Sequence, residues 1–389
     1  MLLVRFKSNH EYPANYITNL INRIANLAML RQLKKCTIFA TITMLVFIIF
    51  TNSLLYLERY QTEYFQFDTD AYFEDAKDLK YPVKVQPYLF RIINASNPSV
   101  PLTISAPYVI ENRHLCRSVK NLTVLVVVNS ATDHFEQRQS IRATWTNDTY
   151  YSYLATVRVV FLVGITASHV VQSALEMEFE KYKDIVQGDF IDSYTNLTHK
   201  GVMGFKWITE RCRNAEMILK VDDDIVVNMF LYLYKLKHSK ALHKANVYCE
   251  YKSDLIHRDF TSKWYVDESH FKGVKRYLKF CKGKFVSMTN DIMPSLYLSA
   301  SKSPFFHIDD VLLFGYVLHK IPGLKYETFS DGDWQGITNE AKHCLDTKKE
   351  KCTYIAMQAG YKEEVLNIWS KVVKHFNRSF KDKSYPQQK

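Results

Sequence analysis

Glycine is scarce in this chain, with only 11 among 389 residues. Glycine-rich loops hold phosphate groups on closely approaching backbone amides, so a loop of that kind is not expected. The sequence also lacks any Cys-x-x-Cys pair, which argues against a structural zinc site. Only one apolar stretch is long enough to cross a bilayer, so a protein with several membrane spans is not expected.

Basic residues are concentrated near the start of the chain. Of the net charge of +11, five charges lie before Cys36, where six basic residues are opposed by Glu11 alone. No basic run recurs in the remaining sequence, which argues against a nucleic-acid-binding role. The mild positive charge that remains suits an anionic nucleotide-sugar, and the apolar fraction of 47% indicates a globular domain.

The apolar stretch covers residues 37–57 and has no charged side chain, which is long enough for one transmembrane helix. Two lysines precede it, so the positive-inside rule places residues 1–36 in the cytosol and the following chain outside it. A cleaved signal peptide is the alternative, but the preceding segment is long and no small-x-small site ends the apolar run. We therefore expect a stem over residues 58–112 and a lumenal domain over residues 113–389.

Lumenal placement gives meaning to two further features. N-glycosylation sequons occur at Asn94, Asn121, Asn147, Asn196 and Asn377. Cysteines pair in oxidising compartments, and beyond Cys36 their number is even: Cys116, Cys212, Cys249, Cys281, Cys344 and Cys352. Spacing alone leaves fifteen pairings open.

Strand-like and helix-like segments alternate from residue 122 onward. Branched apolar runs predict strands over 122–128, 157–164, 184–190 and 217–221, and the segments between them predict helices over 135–145, 170–182, 196–212 and 228–237. This alternation predicts an α/β fold with a largely parallel sheet and helices on both faces. Ligands of such sheets bind at the carboxyl ends of the strands.

Three adjacent aspartates lie between two apolar runs. Asp222, Asp223 and Asp224 follow residues 217–221 and precede residues 225–227, a position that costs free energy unless the carboxylates are solvated or bind a cation. Side chains alternate along an extended backbone, so Asp222 and Asp224 can face the same way. Two such carboxylates are suitable ligands for Mn²⁺ or Mg²⁺, which would bridge to a diphosphate. The alternative is a solvated acidic turn.

A second acidic pair, Asp309 and Asp310, precedes the apolar run of residues 312–318. A carboxylate at this position could act as a general base toward a sugar hydroxyl. The alternative is a helix N-terminus that carries negative charge in its first turn.

Two further pairs could contact a substrate. Arg138 and Arg142 are four residues apart and share one face of a predicted helix, where they could hold phosphate or the nucleotide; a solvated face is the alternative. Lys263 and Trp264 could place an aromatic ring under a sugar, although a core tryptophan is equally compatible with the sequence.

Together these segments resemble the β-1,3-glycosyltransferase family, which includes β-1,3-galactosyltransferases and β-1,3-N-acetylglucosaminyltransferases. The family pattern R-x-x-x-R-x-T-W matches residues 138–145, and D-F-x-D-S-Y-x-N-L-T-x-K matches residues 189–200. The pattern K-x-D-D-D-x-x-x-N matches residues 220–228, and the E/D-D-V block with its following glycine matches residues 309–315. The order of the blocks agrees over roughly residues 113–370.

The resemblance implies a GT-A fold with a mixed, mainly parallel sheet in a type II Golgi membrane protein. It also implies a UDP-sugar donor, Mn²⁺ (or Mg²⁺), and inversion at the anomeric carbon. The implied reaction transfers a hexose or N-acetylhexosamine to a glycan hydroxyl of a glycoprotein or glycolipid, in a β-1,3 linkage.

The resemblance further implies roles for individual residues. It places the general base at Asp310, with Asp309 beside it at the acceptor, and the metal at Asp222 and Asp224. The residues implied on the donor side are Arg138, Arg142, Lys200, Asp222 and Asp223. The implied disulfides are Cys116–Cys212, Cys249–Cys281 and Cys344–Cys352.

Three segments depart from the family pattern. Residues 277–283 read YLKFCKG where the family has Y-P-P-Y-C-x-G, and residues 284–303 are only loosely similar. Gln358 or Ala359 stands where family members often have a histidine. These departures keep open a catalytically degenerate lumenal protein that binds a glycan or UDP-sugar. A retaining or hydrolytic enzyme that uses the aspartate pairs is a further hypothesis.

Overall fold

The computed structural model describes residues 106–238, 245–328 and 333–377, with eight further residues: Met44, Ile48, Thr51, Asn52, Ile92, Ile93, Leu102 and Ile104. The predicted tail, most of the predicted anchor and stem, and Asn94 lie outside these described residues. Within the described part of the chain, none of the helices has the length and apolar character needed to span a membrane. By its internal contacts the chain divides into Met1–Gln66 and Phe67–Lys389, and the fold below belongs to the second unit.

Ten strands among the described residues form two sheets. In chain order they are β1 (Val124–Asn129), β2 (Val157–Ile165), β3 (Ile185–Ile191), β4 (Met217–Asp222), β5 (Ile225–Val227), β6 (Asn246–Lys252), β7 (Phe280–Thr289), β8 (Lys325–Thr328), β9 (Trp334–Gln335) and β10 (Ala356–Gln358). The central sheet has the strand order β3-β2-β1-β4-β7-β6-β8, and the small sheet has the order β5-β10-β9.

Helices connect most of these strands. They are α1 (Phe135–Ala143), α2 (His169–Tyr182), α3 (Leu197–Arg211), α4 (Met229–His238), α5 (Met293–Ser301), α6 (Asp309–Val311), α7 (Thr338–Thr347) and α8 (Lys362–Val372). The short α6 continues directly into a π-helical segment, Leu312–Val317. Up to residue 238, each predicted strand and helix occurs within a few residues of its predicted bounds.

Alternate side chains of the central strands pack against helices on opposite faces of the sheet. In β1, Leu125 and Val127 belong to the apolar cluster that includes α3 and α5. Val124, Val126 and Val128 belong to the cluster that includes α1, α4, α7 and α8. A continuous branched run such as β1 is therefore buried on both sides, as expected for a central strand between helical layers.

The strand pairing brings residues 222–224, called the acidic turn below, to one edge of the sheet. β1 runs parallel to both β2 and β4, so that Asn129 at its end is level with Asp222. β7 runs antiparallel to β4 and β6, and its Phe285 pairs with Val221. The carboxyl end of β4 and the first half of β7 therefore meet at the same edge. The prediction of a mixed, mainly parallel sheet with helices on both faces is confirmed.

Three disulfides join Cys116–Cys212, Cys249–Cys281 and Cys344–Cys352. These are the pairs that the family resemblance implied. The second disulfide links β6 to the first residues of β7, so it constrains the strand that faces the acidic turn.

Candidate active site

A cleft of about 360 Å³ opens at the carboxyl end of β4. Its walls come from the acidic turn, the loop between β6 and β7, the first half of β7 and the start of α6. The predicted site residues that line it are Asp222, Asp224, Lys263, Trp264, Asp309 and Asp310. A larger cavity of about 860 Å³ lies at the opposite end of β4, beside Thr123 and Met217, and none of the described residues that line it was predicted as a site residue.

Lys220 lies behind the acidic turn and faces the cleft. Its Nζ atom donates to Oδ1 of Asp222 at 2.6 Å and to the carbonyl oxygen of Gly283 at 2.5 Å. Burial lowers the pKa of this ammonium, but nearby carboxylates, Asp222 foremost, raise it overall. Because Asp309 and Asp310 also act on it, Lys220 is a permanent positive charge between the two acidic pairs.

Asp224 is held by the small sheet. Gln358 donates through Nε2 to Oδ2 of Asp224 at 2.8 Å, and the Ala359 amide donates to the Asp224 carbonyl oxygen at 2.8 Å. β10 pairs with β5, which directly follows the acidic turn, and this pairing sets Gln358 opposite Ile225. Burial and the negative charge of Asp222 raise the pKa of Asp224.

The two carboxylates of the acidic turn, Asp222 and Asp224, could bind a divalent cation whose remaining ligands come from a substrate and from water. Burial, and after it the negative charge of Asp222, raise the pKa of Asp224, and a cation between the two carboxylates would stabilise their ionised forms. Within the described residues, no group of three or more His, Cys, Asp or Glu side chains is arranged to hold a metal. A cation held by two carboxylates completes its coordination with phosphate and water oxygens, as Mg²⁺ commonly does at substrate phosphates.

Asp223 does not line the cleft. Its Oδ2 atom accepts hydrogen bonds from Ser130 Oγ at 2.7 Å and from His134 Nδ1 at 2.8 Å. The hydrogen bond to Asp223 raises the pKa of His134. Asp223 therefore ties the acidic turn to the segment that follows β1, and its contact with the donor stays a prediction.

Asp309 and Asp310 occupy the first turn of α6 and also line the cleft. The pair therefore does carry negative charge at a helix N-terminus, and its role as a general base stays a prediction. Asp310 accepts through Oδ1 from the Val311 amide at 2.8 Å and through Oδ2 from the Gly283 amide at 3.4 Å. A Cβ atom on Gly283 would lie 3.2 Å from Cβ of Asp310 and 3.4 Å from Nζ of Lys220. Glycine at this position therefore allows the backbone of β7 to approach both groups.

The environment of Asp310 suits a general base. Burial and the negative charge of Asp309 raise its pKa to about 7, although the Lys282 ammonium opposes this shift. The pKa of Asp309 is also raised, chiefly by burial, while Lys220 acts to lower it. A carboxyl group that titrates near neutral pH is matched to proton abstraction from a hydroxyl.

The two arginines of α1 form ion pairs with carboxylates and do not line the cleft, so their contact with the donor stays a prediction. Arg138 is fully buried and donates to both carboxylate oxygens of Glu178 and to Ser130 Oγ. Arg142 donates to Glu178 at 2.6 Å and to both carboxylate oxygens of Asp184 at 2.7 Å. Because these guanidinium donors are already bound to carboxylates of α2 and its end, they hold the fold together behind the site.

Lys200, also predicted on the donor side, is likewise buried and paired. Its Nζ atom lies 2.6 Å from the carbonyl oxygen of Ser130 and 2.8 Å from Oδ1 of Asp192. Since Arg138 donates to the hydroxyl of the same serine, two cations fix the residue that binds Asp223. In the structure Lys200 therefore supports the acidic turn, and its contact with the donor stays a prediction.

Lys263 and Trp264 line the cleft together with Tyr194. Trp264 is 42% exposed, so it is not a core tryptophan. The Nζ atom of Lys263 lies 4.6 Å from the centre of the Trp264 ring and 5.4 Å from that of Tyr194. Contact of this pair with an acceptor stays a prediction.

The described sequons differ in their surroundings. Asn121 is exposed, whereas Asn147 and Asn377 are half-buried. The side-chain amide of Asn196 donates to the Ile191 carbonyl oxygen. Thr198, the third residue of that sequon, is buried, and its hydroxyl donates to the carbonyl oxygen of Phe306. The sequon at Asn196 is therefore an integral part of the start of α3.

Sequence reasoning missed several residues of the cleft. Tyr194 lies within the matched run of residues 189–200, so a signal was present, but its position at the cleft was not inferred. Lys282 lies in the segment that departs from the family pattern and pairs with Asp254. Its approach to Asp310 depends on the loop between β6 and β7, which no local pattern predicts.

Residues 136–327 match the Galactosyltransferase family model. The similarity to the galactosyltransferase family therefore lies in residues 136–327. The resemblance indicated by the sequence motifs is thereby confirmed. The matched range contains the acidic turn and the pair in α6, and it ends before Gln358.

Relatives of known activity are similar over part of their length. Beta-1,3-galactosyltransferase 1 of Mus musculus and of Homo sapiens is 31% identical over 221 residues, which are 56% of this chain and 66% of the relative. Lactosylceramide 1,3-N-acetyl-beta-D-glucosaminyltransferase B of Danio rerio is 31% identical over 239 residues, which are 58% of this chain and 61% of the relative. The chain therefore spans less than two thirds of the length of these relatives.

Among solved structures, a galactosyltransferase LgtC in complex with donor and acceptor sugar analogs is similar to this chain. The match covers 63% of this chain and 95% of that one, with 11% sequence identity and a TM-score of 0.33. This similarity is too low to carry an argument about function.

Proposed function

We propose that the chain transfers a hexose or N-acetylhexosamine from a UDP-sugar to a glycan hydroxyl, forming a β-1,3 linkage with inversion. One observation carries the proposal: a single cleft holds both the acidic turn, Asp222 and Asp224, and Asp310, whose pKa lies near neutral. The relatives' names, a β-1,3-galactosyltransferase and a lactosylceramide 1,3-N-acetylglucosaminyltransferase, support the sugar classes, the linkage and a glycan or glycolipid acceptor.

The acidic turn is the donor side of the proposed site. Asp222 and Asp224 would hold Mn²⁺ or Mg²⁺, which would bind the diphosphate and stabilise the negative charge on departing UDP. Lys220 fixes Asp222 from behind, and Gln358 fixes Asp224 from the small sheet. Both carboxylates are thus positioned before any ligand binds, which lowers the ordering cost of donor binding.

Asp310 is the general base of the proposed reaction. Its carboxylate accepts the proton of the acceptor hydroxyl while the hydroxyl oxygen bonds to C1 of the sugar. The bond from C1 to the diphosphate oxygen breaks on the opposite face, which inverts the configuration. Asp309 and Lys220 orient this carboxylate electrostatically, and the shared cleft supplies proximity of the two substrates.

We also propose that the chain is a type II Golgi membrane protein with residues 113–389 in the lumen. The charge-free run of residues 37–57 and three disulfides, which persist in oxidising compartments, support this proposal. In sealed microsomes, protease should spare the segment from residue 100 onward, and endoglycosidase should reduce its mass. Cytosolic exposure of that segment would contradict the topology.

A donor screen tests the reaction. The detergent-solubilised chain is incubated with UDP-galactose, UDP-N-acetylgalactosamine or UDP-N-acetylglucosamine, with lactosylceramide or a β-galactoside as acceptor, in Mn²⁺ or in EDTA. We expect one donor to yield UDP and a β-1,3-linked product in Mn²⁺ only, with the anomeric configuration read by NMR. UDP binding without transfer from any donor would favour the degenerate binding protein, and an α-linked product would favour a retaining enzyme.

A further inference from the structure

Of the four described lysines that line the cleft, three form ion pairs with carboxylates, and the fourth is Lys263. Lys220 pairs with Asp222, and Lys282 pairs with Asp254. Lys284 pairs with Glu250, which lies outside the cleft.

Lys263 makes no ion pair with any of the residues that the structure describes. Its ammonium instead lies over two aromatic rings, 5.4 Å from the centre of Tyr194 and 4.6 Å from that of Trp264. Lys263 is exposed, and both aromatic residues are partly exposed, at 45% and 42%. A ring face attracts the ammonium but offers its three N–H donors no oxygen acceptor, so these donors can still bind an incoming anion. This arrangement, Tyr194, Lys263 and Trp264, is named the aromatic–lysine shelf below.

The shelf lies on the acceptor side of the cleft. The carbonyl oxygen of Tyr265, the residue that follows Trp264, lies 2.9 Å from Nε2 of His307, and His307 precedes Asp309 by two residues. The loop that carries the shelf is thus joined to the segment that leads into the pair containing the proposed base. The raised pKa of Tyr194 agrees with this position, because burial and then Asp309 raise it more than Asp222 does. A diphosphate bound at Asp222 and Asp224 would therefore lie away from Lys263, whereas the acceptor sugar would lie beside it.

We propose that Lys263 binds a carboxylate or sulfate carried by the acceptor, so that the protein prefers an acidic glycan, with Tyr194 and Trp264 against the apolar face of its ring. This inference rests on the proposed function, because it takes the substrate of the same cleft to be a sugar acceptor. An aromatic ring contacts the C–H face of a sugar whatever its charge. The unmatched ammonium supplies the discrimination between acidic and neutral sugars.

Direct binding of matched glycosides tests the proposal without requiring transfer. The probes are phenyl β-galactoside and phenyl β-galacturonide, which differ only in a hydroxymethyl group against a carboxylate, and phenyl β-galactoside 6-sulfate. Their dissociation constants for the full chain with UDP and Mn²⁺ are measured by NMR titration. We expect wild type to bind both acidic probes about fivefold more tightly than the neutral one, which is the upper end of what a solvent-exposed ion pair contributes to binding.

Three variants separate the role of the lysine from a general charge effect. Lys263→Gln should remove the acidic preference and leave neutral binding within twofold, and Lys263→Arg should retain the preference. Lys272→Gln makes the same charge change at an exposed position of the same loop that does not line the cleft, and should retain the preference too. Equal or undetectable binding of acidic and neutral probes by wild type would overturn the proposal, as would a preference that survives in Lys263→Gln.

A separate titration of UDP in Mn²⁺ identifies the source of the anion. We expect Lys263→Gln to change the affinity for UDP by less than twofold. A larger loss would show that Lys263 binds the donor diphosphate, which would overturn the proposal. Failure of the donor screen together with an intact, Lys263-dependent acidic preference would instead reject the transferase activity and leave the acidic-glycan subsite supported.

Discussion

The Nε2 atom of Gln358 lies 2.8 Å from Oδ2 of Asp224, although the two residues are 134 positions apart in the chain. The pairing of β10 with β5 makes this contact possible. It places a neutral amide beside Asp224, so the carboxylate of Asp224 is oriented without the addition of a titratable group. The acidic turn therefore depends on both its local sequence and a distant strand.

Asp224→Asn should weaken UDP binding in Mn²⁺ by about tenfold or more, because the amide cannot supply the negative charge that a cation needs. Isothermal calorimetry measures the affinity, and the melting temperature in EDTA should stay close to that of wild type. Asp254→Asn is the control, since Asp254 is a carboxylate of the same cleft that already pairs with Lys282. Full UDP affinity in Asp224→Asn would refute the assignment.

Asp310→Asn should reduce transfer by about a hundredfold to ten-thousandfold, since an amide keeps the shape of the carboxylate but cannot accept the proton. UDP affinity and melting temperature should remain close to wild type. Asp309→Asn should be milder, because Asp309 orients and does not abstract. Loss of transfer in Asp309→Asn with an unfolded Asp310→Asn would reverse the two roles, and near-normal transfer in both would place the base elsewhere.

The value of kcat/KM should rise with pH through about 7, because Asp310 must be ionised to act and its pKa is raised to about 7. Protonation at lower pH removes the base, so activity should fall as pH decreases. Lys282→Met should move this acidic limb of the pH profile to higher pH, since the Lys282 ammonium opposes the rise of the Asp310 pKa. Lys284→Met, which removes a lysine paired with Glu250, should leave the limb in place. A limb with the same midpoint in Lys282→Met would contradict the assignment.

Gly283→Ala should lower kcat by about tenfold, because its Cβ would lie 3.2 Å from Cβ of Asp310 and displace the base by a few tenths of an ångström. The melting temperature should change little, since the neighbours are side chains at the cleft. Gly360→Ala is the matched control, because no atom lies within 4 Å of its added Cβ. Unchanged kcat in Gly283→Ala would show that Asp310 has room to move without loss of function.

Arg138→Met should destabilise the fold by about 3 kcal/mol, because it leaves Glu178 short of a buried partner and Ser130 without its guanidinium donor. Urea denaturation measures the free energy of unfolding. Arg158→Met removes an ion pair with Asp148 that is about one-third exposed, so it should cost no more than about 1 kcal/mol. If the two variants lose similar stability, the buried role of Arg138 is wrong.

The order of strands and helices up to residue 238 was predictable because each element has a local cause. A continuous branched run such as β1 favours a strand buried on both faces, and the three aspartates come directly after the apolar run that forms β4. The acidic turn and the pair in α6 stood out in the sequence because carboxylates next to apolar residues are costly unless they are solvated or bind a cation, and the family resemblance supplied their predicted roles.

Partners that are distant in the chain were decided by the tertiary structure alone. Arg138 and Arg142 have the composition of an anion-binding face, yet the packing of α1 against the end of α2 supplies Glu178 and Asp184 and buries them as ion pairs. Sequence spacing determined that two cations share a helix face. Which carboxylates neutralise them depends on the fold, because a charge interacts with whatever the chain brings within a few ångströms, whatever its distance in sequence.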